Sequence, residues 1–352
     1  MLSRSFKIVA PEVFELYIED INIKEDEALI EINKAAICKA DIRYYKGKRE
    51  ERILGLKYPM SLIHEVTGTV IKDNANSLKQ GDKVVLVPNV VENYDDLSSE
   101  QLKVCENKYL GENYCNGSEF CSSSRDGFSK QFVAIKSRNL IKVEYDISDN
   151  ILVFSELISV AISAIRRMDY TSRNYKELYI WGDGIVGYII SSVAKHILNK
   201  NVTVIGKHNE KLKEFPCDNY VNISNEIALK NIHLENIIEC VGGKGMNSAI
   251  NQILELAVPG AKIVLTGVSE EKIEINTRKI LEKGLTITGS TRSNIDDFKK
   301  AVDYLKDYNF RKIIKKLVIG EIDIKDISDF YYAFERTCSN NILGKYIMNF
   351  KF

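Results

Sequence analysis

One stretch of six residues, Gly182-Asp183-Gly184-Ile185-Val186-Gly187, limits what this chain can fold into more than any other. It follows an apolar run, residues 177–181, and opens a segment, 186–198, whose apolar residues recur at helical spacing. The first glycine permits a tight turn, the second lets backbone approach a ligand, and the third allows the helix to lie close to the strand. The helix N-terminus then faces the turn and attracts an anion. Gly182, Gly184, Ile185, Val186 and Gly187 are therefore expected to cradle the pyrophosphate of a dinucleotide, the plainer alternative being a turn that only packs a helix. The alternation continues, with strands expected at 202–206, 236–240, 262–266 and 285–288 and a helix at 246–256. Such an order predicts an α/β fold, a doubly wound parallel sheet with helices on its faces.

The end of the second strand of that sheet selects among dinucleotides. A site for NAD usually places an acidic residue there to accept the ribose 2′-hydroxyl. This chain instead reads Ile205-Gly206-Lys207-His208. A small residue followed by cations suits a 2′-phosphate, so Gly206 and Lys207 point to NADPH; a solvated surface lysine is the alternative.

With 352 residues the chain exceeds the size at which one core keeps growing, so two domains are expected. Before residue 155 the pattern is β-rich, with alternating or apolar segments at 28–32, 66–71, 83–87 and 132–135, which fit a small barrel or sandwich. Residues 89–125 break that pattern. They hold Asp95-Asp96, Ser98-Ser99, three cysteines and the serines 122–124, and are expected to form a surface excursion. Helices at 295–308 and 327–334 and a strand at 345–350 follow the sheet. The expected organisation is a first domain over 1–154, a dinucleotide-binding domain over 155–293, and a return to the first domain over 294–352.

Acidic and basic side chains are equal in number, 49 of each, which gives no electrostatic footprint for nucleic acid. No apolar run approaches the eighteen or so residues of a membrane span, and a cytoplasmic protein is expected. Seven cysteines without regular spacing do not suggest a disulfide framework, and a chain of this size needs none to hold its core. Metal ligation is the better use for some of them. Cys38 and, after Pro59-Met60, His64-Glu65 supply a thiolate, an imidazole and a carboxylate, a donor set that suits zinc with one position open.

Taken together, Cys38-Lys39-Ala40-Asp41-Ile42-Arg43-Tyr44-Tyr45, Pro59-Met60, His64-Glu65 and Gly68 resemble the catalytic segment of zinc polyol dehydrogenases in the medium-chain family. The likeness extends over nearly the whole chain. It implies a GroES-like β-barrel catalytic domain, a Rossmann domain for NADP(H), and one catalytic Zn2+ ion held by Cys38, His64 and Glu156, with Glu65 as a further, exchanging ligand. It also implies that the nicotinamide lies near Val241, Gly267 and Val268.

Within that family, Pro59-Met60-Ser61-Leu62-Ile63-His64-Glu65, Ala164-Ile165-Arg166-Arg167, Trp181-Gly182-Asp183-Gly184, Gly206-Lys207, Glu239-Cys240-Val241-Gly242-Gly243 and Leu281-Glu282-Lys283-Gly284-Leu285 are similar to the bacterial ribulose-5-phosphate reductases. These make ribitol 5-phosphate for teichoic acid or capsule polymers. The resemblance implies reduction of a phosphorylated ketose by NADPH, a homodimer or homotetramer, and partnership with a cytidylyltransferase. Arg43, Lys48 and Arg49 cluster after Cys38 and would bind the substrate phosphate.

Two rivals stand beside this reading. One is a zinc dehydrogenase of unphosphorylated polyols, whose cations after Cys38 face solvent; the other is a non-catalytic dinucleotide-sensing protein that has lost its zinc. The chain also departs from many family members. Ala40 stands where a Ser or Thr begins a proton relay, Arg43 stands where a histidine is frequent, and Cys105, Cys115 and Cys121 are too widely spaced for a structural zinc lobe.

Overall fold

The structure is a computed structural model and describes residues 1–352 other than 93, 95, 96, 108 and 173. It divides into two compact units: residues Met1–Glu156 together with Ser293–Phe352, and Leu157–Arg292.

The first unit opens with β1 (Leu2–Ala10) and β2 (Val13–Asp20), an antiparallel hairpin absent from the sequence reading. Its signal is weak because β2 buries only Phe14, and its Leu16-Tyr17-Ile18 run does not alternate with polar residues. There follow β3 (Glu27–Ala36), β4 (Met60–Ser61), β5 (Glu65–Asp73), β6 (Lys83–Leu86), β7 (Asn89–Val91), β8 (Ser118–Phe120), β9 (Phe132–Lys136) and β10 (Leu140–Lys142). The second unit contributes β11 (Glu177–Trp181), β12 (Asn201–Gly206), β13 (Asn219–Asn222), β14 (Asn236–Glu239), β15 (Lys262–Leu265) and β16 (Thr286–Gly289). The chain then adds β17 (Val318–Ile324) and β18 (Lys345–Phe350) to the first unit.

In the first unit the main sheet runs β10-β6-β5-β3-β18-β17, with β9 also paired to β3. Its core is aliphatic and aromatic. Phe6 stacks on Phe330 at 4.9 Å between ring centroids, and Phe14 meets Phe334 at 4.8 Å, which ties the hairpin to the helix Ile327–Cys338. Such pairs add to the burial of each ring, on the order of 1 kcal/mol apiece.

The second unit is a six-stranded, wholly parallel sheet in the order β13-β12-β11-β14-β15-β16. The order reverses at β11, whose neighbours are β12 and β14, and ligands of open α/β sheets bind beyond the strand ends at such a reversal. Trp181, Ile205, Ile237 and Ile263 are buried with the apolar face of helix Met246–Leu256.

Three expectations are corrected. The stretch 89–125 is not a plain surface excursion: it forms β7, the helix Ser99–Cys105 and β8, and it buries Glu112, Asn113, Cys121 and Ser122. Asp95 and Asp96 lie outside the described residues. Cys105 and Cys115 form a disulfide, closing a loop between residues ten apart around a small cluster with Val91, Tyr94 and Leu97. The expected helix 295–308 is two helices, Ile295–Tyr304 and Tyr308–Lys315, because the Asp307 side chain accepts from the Phe310 amide and starts the second.

Candidate active site

Cys38 ends the run from β3 and serves as N-cap of the short helix Lys39–Tyr45. His64 and Glu65 arrive from the loop after β4 and the first residue of β5. One atom from each of Cys38, His64 and Glu65 lies within 4.8 Å of the others. Asp41 holds the two loops together, since one carboxylate oxygen accepts from the Cys38 amide at 2.9 Å and the other from the Ile63 amide at 3.1 Å. Ile63 itself has φ +75°, a left-handed backbone that a β-branched residue adopts only under strain. Strain of this kind is found where the surrounding structure fixes a functional group. Here it aims His64.

Glu65 is fully buried, and both its oxygens accept from the Lys345 ammonium, which also donates to the Ile37 carbonyl at 3.1 Å. Register explains how. Glu65 lies opposite Ala36 on β3, and Ala36 lies opposite Ile347 on β18, so only the small Ala35-Ala36 pair separates the carboxylate from the start of β18. Burial opposes the charge on Lys345, but the adjacent Glu65 more than restores it. Burial likewise opposes charge on His64, and Asp41 with Cys38 hold its pKa well above the ordinary value. The pocket therefore favours positive charge between its anionic groups. Glu156 stands buried beside this triplet rather than within it, and burial pushes its carboxyl upward. Thiolate, imidazole, carboxylate and a cation-favouring field together fit a zinc ion.

The expected phosphate ligands sit at the far end of the same short helix. Arg43 lies in its last turn, Lys48 is exposed just beyond, and the Arg49 guanidinium rests over the Tyr44 ring at 4.9 Å.

In the second unit the glycine turn has the geometry its spacing implies. Gly182 has φ +134° and packs against Cys240; a side chain on Gly187 would meet the Gly182 carbonyl at 2.3 Å. Nothing lies within 4 Å of a side chain built on Gly184, so the turn is open where a ligand would press. Ile185 and Val186 begin the helix Ile185–Ser192. Asp183 binds the next loop: one oxygen accepts from the Lys207 amide at 2.7 Å and the His208 amide at 2.6 Å, and lies 3.0 Å from the His208 ring. That carboxylate also packs against Gly206, where no larger residue fits. The loops 241–243 and 267–268 are joined by the Gly243 amide on the Val268 carbonyl at 2.9 Å, and by Glu239, which accepts from the amides of Val241 and Gly267.

Residues 24–145 match the alcohol dehydrogenase GroES-like domain, and residues 186–307 match the zinc-binding dehydrogenase domain. The chain is 37% identical over 346 residues to ribulose-5-phosphate reductase 1 of Staphylococcus aureus, covering 97% of each chain. This chain belongs to the zinc-binding dehydrogenases, alongside the ribulose-5-phosphate reductases. The reductase of Bacillus spizizenii is 33% identical over 95% of both chains. The crystal structure of S. aureus TarJ in complex with NADPH superposes with a TM-score of 0.83 at 32% identity, covering all of both chains.

Sequence reasoning named Cys38, His64, Glu65 and Glu156 as candidate metal ligands, of which the first three come together here, and missed the residues that support them. Asp41 carried a signal, because Cys38-x-x-Asp41 has the spacing of a capping box. Asp183, Lys345 and Ser122 carried none; their roles depend on loops and strands far away in sequence. Glu239 gives a test of the cofactor loops. Its buried carboxyl is pushed up to about 7 from the usual 4.5 by desolvation. A raised pKa makes the folded state bind its proton more tightly, so this stabilisation is present below about pH 4.5 and is lost as pH rises through 7. The full effect is about 3 kcal/mol. Urea unfolding of the whole chain between pH 5 and 8 should show most of it, and Glu239→Gln should flatten that slope.

Proposed function

We propose that this chain reduces D-ribulose 5-phosphate to D-ribitol 5-phosphate with NADPH. The observation that carries the reading is identity to ribulose-5-phosphate reductases over nearly the full chain, in a protein that brings Cys38, His64 and Glu65 together. Cys38 and His64 hold zinc with Glu65, Glu156 or both; bound there, the ion supplies Lewis acidity to the ketone. Asp41 fixes the loops that carry the ligands, and Lys345 holds Glu65 in place. Ala40 offers no hydroxyl to a proton relay, so the proton that the product alcohol requires reaches the site by another route.

Arg43, Lys48 and Arg49 take the substrate phosphate. Arg43 is five residues beyond Cys38, about 7.5 Å along a helix, so one short element carries a metal ligand and a phosphate ligand. The turn residues Gly182, Gly184, Ile185, Val186 and Gly187 carry the pyrophosphate, Gly206 and Lys207 the 2′-phosphate, and Val241, Gly267 and Val268 flank the nicotinamide. The setting that fits is the cytoplasm, in ribitol teichoic acid or capsule synthesis, as a homodimer or homotetramer with a cytidylyltransferase consuming the product. Among the described residues no helix is long and apolar enough to cross a membrane.

The test follows NADPH absorbance with D-ribulose 5-phosphate and with free D-ribulose. A charge-assisted bond contributes about 1.5–3 kcal/mol, so Arg43→Ala should cut kcat/KM for the phosphorylated ketose roughly 10- to 150-fold and leave the free ketose unaffected. Activity confined to unphosphorylated ketoses would remove the phosphate site. Binding of NADPH without zinc or turnover would identify a sensor.

A further inference from the structure

Gly206 ends β12, where a site for NAD usually carries its acidic residue. Its φ lies outside the left-handed region that favours glycine, so the backbone itself would accept a side chain there. Asp183 is what forbids one. A Cβ built on Gly206 would lie 2.6 Å from the Asp183 Cβ, 2.9 Å from its Oδ2 and 3.0 Å from its Cγ, and these are the three heavy atoms nearest to it. Asp183 is not free to swing aside, because its Oδ2 accepts from the Lys207 and His208 amides and both would lose their acceptor.

We propose that Asp183 is a specificity-determining residue: from within the glycine turn it bars from position 206 the acidic side chain that would hold an NAD ribose, and so fixes the preference for NADPH. This rests on the reading that Gly206 and Lys207 take the 2′-phosphate. Two effects act together. The Asp183 side chain fills the space that a larger residue at 206 would need, and an aspartate there would set a second carboxylate against the first, where like charges repel. Register joins the two positions, since Trp181 lies opposite Ile205 and the Gly182 amide donates to the Ile205 carbonyl at 2.8 Å. The chain beyond Gly206 has other anchors. The Asn222 side chain donates to the Lys207 carbonyl at 2.9 Å, and the Ile223 amide donates to the Gly206 carbonyl at 2.9 Å. Removing the Asp183 side chain therefore leaves the loop its hold on the sheet.

Binding of NADPH and of NADH, read by the fluorescence of each, would be measured for the wild type, Asp183→Gly, Gly206→Asp and the double variant. Glycine is the replacement because the Asp183 Cβ is itself the nearest obstacle. Gly206→Asp alone should weaken NADPH and bring NADH no gain over the wild type. The same substitution in the Asp183→Gly background should tighten NADH roughly 10- to 150-fold, the range for one hydrogen bond to a charged group. A gain for NADH of equal size in both backgrounds, or in neither, overturns the assignment. Gly206→Ala serves where the charged variants fail to fold. It should weaken NADPH roughly tenfold with Asp183 in place and no more than about twofold in the Asp183→Gly background, since the overpacking has lost its cause. Equal losses in the two backgrounds overturn the assignment as well. A wild type that binds NADPH and NADH equally overturns the 2′-phosphate reading and this role together, whereas a wild type that prefers NADPH confines any failure to Asp183.

Discussion

Replacing Lys345 with Met in the metal-free protein is expected to cost about 3–5 kcal/mol of folding stability, the range for breaking a buried ion pair by removing one partner. Lys345 is 8% exposed and Glu65 is fully buried, so the variant leaves a carboxylate in a dry interior with its cation gone. The loss is of a different kind from that of a surface pair, which contributes about 0–1 kcal/mol. Glu65→Gln alone should also destabilise, because it strands the ammonium. The double variant Glu65→Gln, Lys345→Met should be less destabilised than the sum of the two singles, with a coupling on the order of 2 kcal/mol for groups in direct contact. Urea midpoints for the four proteins provide the cycle. Additive single effects would show that Glu65 draws its countercharge from elsewhere.

Cys38→Ala is expected to lower NADPH oxidation by ribulose 5-phosphate at least about 1,000-fold. Lewis-acid stabilisation by zinc is worth several kcal/mol, and about 4 kcal/mol corresponds to three orders of magnitude. NADPH binding, read by its fluorescence, should stay within about twofold, because the glycine turn belongs to the second unit and Cys38 to the first. Loss of zinc with retained turnover would remove the metal from the mechanism. Parallel loss of turnover and cofactor binding would point instead to a folding defect.

The parts of this protein that the sequence revealed are those specified by neighbours in the chain. The glycine turn, the strand Glu177–Trp181 and the helix Met246–Leu256 follow from apolar periodicity and local steric demands, and each lies where that reasoning puts it. The Cys38, His64 and Glu65 triplet was legible because its donor chemistry is rare outside metal sites. What stayed hidden is non-local. Lys345 starts a strand whose partner lies across the chain, and nothing in Lys345-Tyr346-Ile347 marks the lysine as buried. Ser122 sits among three consecutive serines that read as solvent-facing, and only a left-handed turn brings the first of them to His64. The β1–β2 hairpin was missed because the apolar residues of β2 run together instead of alternating, and only Phe14 among them is buried.

The Lys345 contact also sets a timetable for synthesis. Its ammonium reaches a carbonyl 308 residues earlier in the chain, and β18 must add to β3 before that contact exists. At about 5–20 residues per second, a ribosome needs on the order of 15–60 s to cover that distance. Throughout that interval nascent β3 lacks one of its pairing partners and Glu65 lacks its cation, an unfinished edge of the kind that recruits other chains. Chaperones holding the nascent chain, and a supply of metal ready when release comes, would matter most in those seconds.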